Sequence, residues 1–202
     1  FYFVKSFYYY VHMFIYKNKY FLMIESIKDI DLKNIKKRNK FSIIYRNKKK
    51  LENTTDLLNF RRFCKIKSIK FYVANNAKLA VLLNSDGLYL SAYNKSFRSL
   101  LLKKSNFKII GSAHNLKEIS LKSKQGCEMI LLSKLFLVSY DKKASFLGVI
   151  RFNNYLKIFK NLIPLGGISI NNLNNLNNIN CQGFALMSEV KKKPAKIFSR
   201  LL

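Results

Sequence analysis

The stretch KFYVANNAKLAVLLNSDGLYLSA (70–92) decides the fold. It holds two apolar runs, KFYVAN (70–75) and GLYLSA (87–92), separated by a helix-like segment. Neither run alternates apolar with polar residues, as a strand with one wet face would. A short, nearly continuous apolar run instead fits a parallel strand covered on both faces. The same unit repeats outward in both directions. Towards the N-terminus lie FSIIYR (41–46) and YFLMIE (20–25). Towards the C-terminus lie FKIIGS (107–112), CEMILLS (127–133), LIPLGGI (162–168) and QGFALMS (182–188). Eight strand–helix units with short connections predict an α/β protein with a parallel sheet. Their number and compactness favour a closed (β/α)8 TIM barrel in a single domain over an open doubly wound sheet.

The intervening segments carry helix signals. Thr54-Thr55-Asp56 can cap a helix that presents Leu57, Phe60, Cys64 and Ile66. Asn115 followed three residues later by Glu118 has the form of a capping box, and Gly126 stands where that helix should stop. Ile150, Tyr155, Leu156 and Phe159 are expected to share a face. In NNLNNLNNIN (171–180), Leu173, Leu176 and Ile179 recur every third position, which predicts a short surface helix rather than a low-complexity tract.

The chain is 49% hydrophobic and 14% aromatic, enough to build a core and to argue against disorder. Its formal net charge of +28, from 38 Lys+Arg against 10 Asp+Glu, admits two readings. A nucleic-acid-binding protein would use such charge to neutralise phosphates. However, the lysines are spread out, and the dense runs are only Lys36-Lys37-Arg38, Lys48-Lys49-Lys50 and Lys191-Lys192-Lys193. Lys, Asn, Ile, Phe and Tyr are abundant together, the set an AT-rich genome encodes, and the aromatics sit mostly in apolar strands. Solvated basic faces are therefore favoured over a polyanion site.

Cys64, Cys127 and Cys181 stand far apart with no CxxC or Cys/His cluster, which argues against zinc. Their odd number fits a reducing, cytoplasmic compartment. No apolar run approaches the roughly 20 residues that span a bilayer. The opening FYFVKSFYYYVHMFIYKNKY (1–20) is aromatic but interrupted by Lys5 and lacks a cleavage site. Residues 1–18, with His12, are set apart as an N-terminal extension, Met13 being an alternative start. The barrel is assigned to residues 19–202.

In such barrels the site lies at the C-terminal strand ends, often with a phosphate after strands 7 and 8. Gly166-Gly167 closes the seventh predicted strand, where missing Cβ atoms let the backbone approach a phosphate or simply make a tight turn. Met187-Ser188 closes the eighth, adding N–H groups and a hydroxyl. After the second, Arg46 and Lys48 lie two apart on an extended chain and could clamp a diphosphate from one face. Ser112 and His114 follow the fifth, and the histidine can titrate near neutrality. No carboxylate pair or Ser/His/Asp order is evident. Asp86 precedes the fourth strand, on what would be the opposite face, and Glu128 and Glu189 have no clear partner.

From Phe41 onward the chain resembles the thiamine phosphate synthase/TenI family of (β/α)8 barrels. The resemblance is carried by IIYRNKK, FYVANNAKLAVLLNSDGLYLS, IIGSAHNLKEI, QGCEMILLSKLF, LGGISINNL and QGFALMSEV, in order and at family spacing. It implies an enzyme of thiamine biosynthesis that joins hydroxymethylpyrimidine diphosphate to thiazole phosphate, releasing pyrophosphate with the help of Mg²⁺. By position, Arg46, Lys48 and Lys142 (or Lys143) would bind diphosphate, while Gly166, Gly167, Met187 and Ser188 would hold the thiazole phosphate. Ser112 matches the family's serine after strand 5.

There are departures from the family pattern. Ile44 replaces a glutamine, Val138-Ser139-Tyr140-Asp141 replaces a Thr-x-Thr-Lys loop, and Asn75 and Asn94 stand where the family has magnesium-binding aspartates. Neutral amides bind the hard dication far less well. That loss resembles the TenI branch, thiazole tautomerases that need no metal, with His114 at the acid/base position. The resemblance thus implies a synthase, a tautomerase or a non-catalytic binder of a thiazole or thiamine phosphate. The partner would be a small phosphorylated substrate, with no membrane, and a homo-oligomer is compatible with the sequence.

Overall fold

All eight predicted strands form: β1 (Lys19–Ile24), β2 (Phe41–Tyr45), β3 (Lys70–Ala74), β4 (Gly87–Leu90), β5 (Lys108–Ala113), β6 (Met129–Leu132), β7 (Leu162–Pro164) and β8 (Gly183–Leu186). The structure, a computed structural model, describes residues 19–35, 38–47, 52–102, 107–138, 143 and 145–192. Residues 1–18, with Met13 and His12, lie outside the described residues. Every strand pair is parallel, in the order β7-β6-β5-β4-β3-β2-β1-β8. A parallel bridge between Leu165 and Ala185 then joins the last strand of that order to the first. The sheet is a nearly closed barrel rather than an open one.

The continuous apolar runs have a direct structural cause. Along β1, Tyr20, Leu22 and Ile24 face the surrounding helices, while Phe21 and Met23 face the lumen. The lumen is filled by Phe21, Met23, Ile44, Tyr72, Tyr89, Ile110, Leu131, Ile163 and Ala185, all buried. A side chain on either strand face therefore enters an apolar layer, so no polar alternation is needed. Tyr72 fits because its register neighbour is Gly87, where a Cβ would lie 2.9 Å from the Tyr72 ring and 1.9 Å from the Lys108 carbonyl oxygen.

The eight strand–helix units need one correction. Five α-helices occur among the described residues: α1 (Thr54–Ile66), α2 (Ala77–Leu82), α3 (Leu116–Lys124), α4 (Gly148–Ile158) and α5 (Ser188–Lys192). After β1, β4 and β7 the connections are 3₁₀ turns instead, the longest being Ile170–Asn178. That segment is the Asn-rich stretch, and its apolar period of three matches three residues per turn, so Leu173 and Leu176 stack on one buried edge.

Two predicted helix faces also change. In α1 the cap is Asn53, which accepts from the Thr55 N–H at 3.1 Å, and the buried stripe is Leu57, Arg61 and Cys64. Ile66 is 66% exposed, because nine residues at 100° each place it opposite Leu57. In α4 the buried pair is Phe152 and Leu156, and Ile150 is 79% exposed.

The acids at the N-terminal strand ends are structural. Asp86 accepts from the Phe71 N–H at 2.7 Å and pairs with Arg61 at 3.2 Å. Glu128, expected to be unpartnered, pairs with Lys108 at 2.8 Å. Cys64 and Cys127 are buried, and burial pushes each thiol up to about 12, so they act as small apolar groups. Among the described residues, no helix is long and apolar enough to cross a membrane.

Candidate active site

The C-terminal strand ends open onto a cavity of about 480 Å³. Its lining includes the last lumen side chains, Met23, Tyr89, Ser112, Leu165 and Ala185. Its walls are the loops that follow the strands: Arg46 after β2, Tyr93 after β4, His114 after β5, Ser133 and Lys134 after β6, Gly166 and Gly167 after β7, Met187 and Ser188 after β8. The predicted residues Arg46, Ser112, His114, Gly166, Gly167, Met187 and Ser188 are thus brought to one cavity. Lys48 and Lys142 lie outside the described residues. Asn75 and Asn94 are described but do not line the cavity.

His114 is held by the start of α3. Asn115 accepts from the Glu118 N–H at 2.9 Å, the expected cap. The Glu118 carboxylate turns back and accepts from the His114 N–H at 2.7 Å, with its Oε2 3.0 Å from His114 Nδ1. An ionised carboxylate only accepts, so Nδ1 carries the hydrogen in this pair and Nε2 is the acceptor of the neutral ring. The ring is partly exposed on the cavity wall and lies 6.1 Å from the Tyr93 ring. Asn115 thus caps the helix, while the Glu118 carboxylate reaches one residue further back than a capping box would and fixes the His114 ring.

Ser112 is buried on the lumen face of β5, beside the Tyr89 phenol. Burial pushes that phenol up, so it stays protonated, while Ser112 and the nearby charge of Arg46 act in the opposite sense.

The glycine pair has its own geometric reason. Gly166 and Gly167 both have positive φ, 91° and 71°. A Cβ on Gly167 would lie 2.4 Å from the Phe136 carbonyl oxygen and 2.5 Å from that of Leu137. The turn after β7 thus packs directly on the loop after β6. Asn172 then donates to the Gly167 carbonyl at 2.7 Å, fixing the peptide from the 3₁₀ segment. The result is a narrow backbone wall on the cavity.

The divalent cation implied by the resemblance does not fit the residues present. Asn75 Oδ1 already accepts from the Ser91 N–H at 3.0 Å and from Asn94 Nδ2 at 3.1 Å. Asn94 Oδ1 accepts from the Ser96 N–H at 3.0 Å. Both amide oxygens are engaged and neither is anionic, whereas Mg²⁺ is typically held by one or two free carboxylates. Among the described residues, no group of three or more His, Cys, Asp or Glu could hold a metal ion.

Sequence reasoning missed Glu118, Tyr89, Tyr93, Ser133 and Lys134 as cavity or positioning residues. Ser133 ends a predicted strand and Lys134 directly follows it, which was signal enough to find them. Glu118 was read as a cap, and only the fold shows its second bond.

A nearly closed barrel of parallel strands, with a glycine-walled cavity over their C-terminal ends, defines the class: a (β/α)8 protein. The chain belongs to the thiamine monophosphate synthase (TMP-TENI) family, whose profile matches residues 25–190. It is 27% identical over 144 residues to the thiamine-phosphate synthase of Prochlorococcus marinus, a match covering 69% of this chain and 40% of that protein. It is 24% identical over 139 residues to that of Clostridioides difficile, covering 67% and 65%. The chain thus spans less than two thirds of these curated relatives. The fold is shared with a thiamine phosphate pyrophosphorylase from Pyrococcus furiosus, at a TM-score of 0.70, 17% identity, and coverage of 94% and 95%.

Proposed function

We propose that this chain acts as a thiamine phosphate synthase-type protein, taking a thiazole phosphate and a pyrimidine diphosphate into the cavity at the strand ends. One observation carries this reading: Arg46, Ser112, His114 and the loops after β7 and β8 converge on that single cavity. In the joining reaction the bond from the pyrimidine methylene carbon to the diphosphate oxygen breaks. The thiazole nitrogen then forms the new carbon–nitrogen bond, and pyrophosphate leaves. The Arg46 guanidinium, with Lys48 and Lys142, is suited to hold the departing oxygens by charge-assisted hydrogen bonds. The loops carrying Gly166-Gly167 and Met187-Ser188 are suited to hold the thiazole phosphate and aim its nitrogen at the reacting carbon. The lumen side chains beneath exclude water that would compete for that carbon.

A second reading is favoured by the His114–Glu118 pair and by the engaged amides of Asn75 and Asn94. A tautomerase moves one proton on a thiazole carboxylate phosphate and needs no diphosphate chemistry. His114 Nε2 would take and return that proton, with Glu118 stabilising the charged ring.

The experiment offers the pyrimidine diphosphate with each thiazole phosphate tautomer, with and without Mg²⁺, and identifies the products. Thiamine phosphate supports the first reading, and interconversion of tautomers alone supports the second. A ligand-induced thermal shift without product points to a binder. No shift at saturating ligand, with salt-sensitive binding to DNA or RNA, would discard both readings in favour of the charge-driven one.

A further inference from the structure

In the resemblance, the ends of strands 3 and 4 carry acids that meet on a divalent cation. Here they carry Asn75 and Asn94, and the two amides bond to each other directly, Nδ2 to Oδ1 at 3.1 Å. Their orientations are set by backbone donors. The Ser96 N–H requires the Asn94 oxygen, at 3.0 Å, and the Ser91 N–H requires the Asn75 oxygen, at 3.0 Å. Turning Asn94 over would set its NH₂ against the Ser96 N–H and its oxygen against the Asn75 oxygen, two repulsive contacts. The only arrangement that satisfies both backbone groups therefore aims an N–H at the Asn75 oxygen, where a cation would have to sit.

The loop is also held from behind. Lys122 and Gln125, both fully buried, reach the Asn94 carbonyl at 2.6 and 3.0 Å. Gln125 further donates to the Ser96 carbonyl at 2.8 Å and accepts from Lys122 at 2.8 Å. The main-chain oxygen of Asn94 is thus engaged by an ammonium group, which would repel a dication approaching it. Asn75 adopts φ 55°, a conformation asparagine tolerates better than most residues, and its N–H donates to the Tyr89 carbonyl at 2.8 Å.

We infer that Asn75 and Asn94, backed by Lys122 and Gln125, form a hydrogen-bonded clip that joins the β3 and β4 loops in place of a divalent cation. The clip is complete without metal and independent of which reaction the neighbouring cavity supports.

The test uses the full chain and Mn²⁺ as the probe, read by loss of the free-ion electron paramagnetic resonance signal and by thermal unfolding. The wild type is expected to leave the signal unchanged at equimolar Mn²⁺ and to melt identically in Mn²⁺ and in EDTA. Restoring both acids, Asn75→Asp with Asn94→Asp, places two like charges where the amides met. That variant should melt lower in EDTA, recover with Mn²⁺, and bind the ion at least about tenfold more tightly than wild type. A stoichiometric wild-type Mn²⁺ site that Asn75→Ala removes would overturn the inference. So would a double-acid variant that binds no more Mn²⁺ than wild type. Should that variant not fold, Asn94→Ala decides: its Tm should fall equally in Mn²⁺ and EDTA, and an unchanged Tm would count against the clip.

Discussion

Two arcs of the same barrel rim have diverged in character. On the β5–β8 arc, loops bring a carboxylate-held histidine and a glycine wall to an open cavity of about 480 Å³. On the β3–β4 arc, the loops close on themselves through Asn75, Asn94, Lys122 and Gln125. His114 and the glycine turn of the first arc border the cavity, whereas Asn75 and Asn94 of the second bond to each other. The lesson is that polar groups at comparable heights on one rim can serve either an open cavity or a loop-to-loop contact. Carboxylates at about 3 Å would need a shared proton or a cation between them, whereas amides supply both donor and acceptor.

The contrast can be broken most forcefully at Gly167. Alanine there meets the Phe136 and Leu137 carbonyls at a positive φ, so stability should fall by roughly 2–4 kcal/mol. The thermal shift caused by thiazole phosphate should vanish with it. A Gly167→Ala protein that melts and binds like wild type would remove the glycine wall from the site.

His114 sharpens the comparison more selectively. His114→Asn should abolish proton-transfer turnover while leaving thiazole phosphate binding intact. Glu118→Gln, which removes the carboxylate charge beside the ring while leaving its oxygen for the His114 N–H, should lower turnover by about 10- to 100-fold. Product assays beside binding titrations separate these effects, and retained turnover in His114→Asn would exclude it as acid/base.

Arg46 tests the arc between the two. Arg46→Met should weaken pyrophosphate binding by about 10- to 100-fold, the scale of one charge-assisted hydrogen-bonding group, with little change for thiazole phosphate. Calorimetry with each anion decides it, and equal losses for both would place Arg46 in the thiazole half.

The smallest effect belongs to the far end of the barrel. Lys108 and Glu128 pair at 2.8 Å with both side chains more than a third exposed. Lys108→Met should change stability by no more than about 0.5 kcal/mol and ligand affinity not at all. A marked loss of affinity would show that the two ends are coupled.

The fold was legible because both faces of each strand meet apolar layers, so FSIIYR and CEMILLS read as buried parallel strands without any site knowledge. Boundaries shortened where loops turn at once, as after Pro164, and the Asn-rich segment showed its period of three but not its 3₁₀ geometry. Of the site, the residues that end strands were legible because barrel topology fixes where strand ends point. Glu118, Lys122 and Gln125 were not, because each acts through a contact with a loop distant in sequence or through a second bond of a residue already explained as a cap. Helix periodicity also misplaced Ile66 and Ile150, whose apolar character suggested burial that their angular position denies.

The most direct test of the account is calorimetric titration of thiazole phosphate into the full chain, once with Mg²⁺ and once with EDTA. The intact β5–β8 arc and the closed amide clip together predict binding of one ligand per chain with the same affinity in both. No binding in either, or binding that appears only with Mg²⁺, would contradict it.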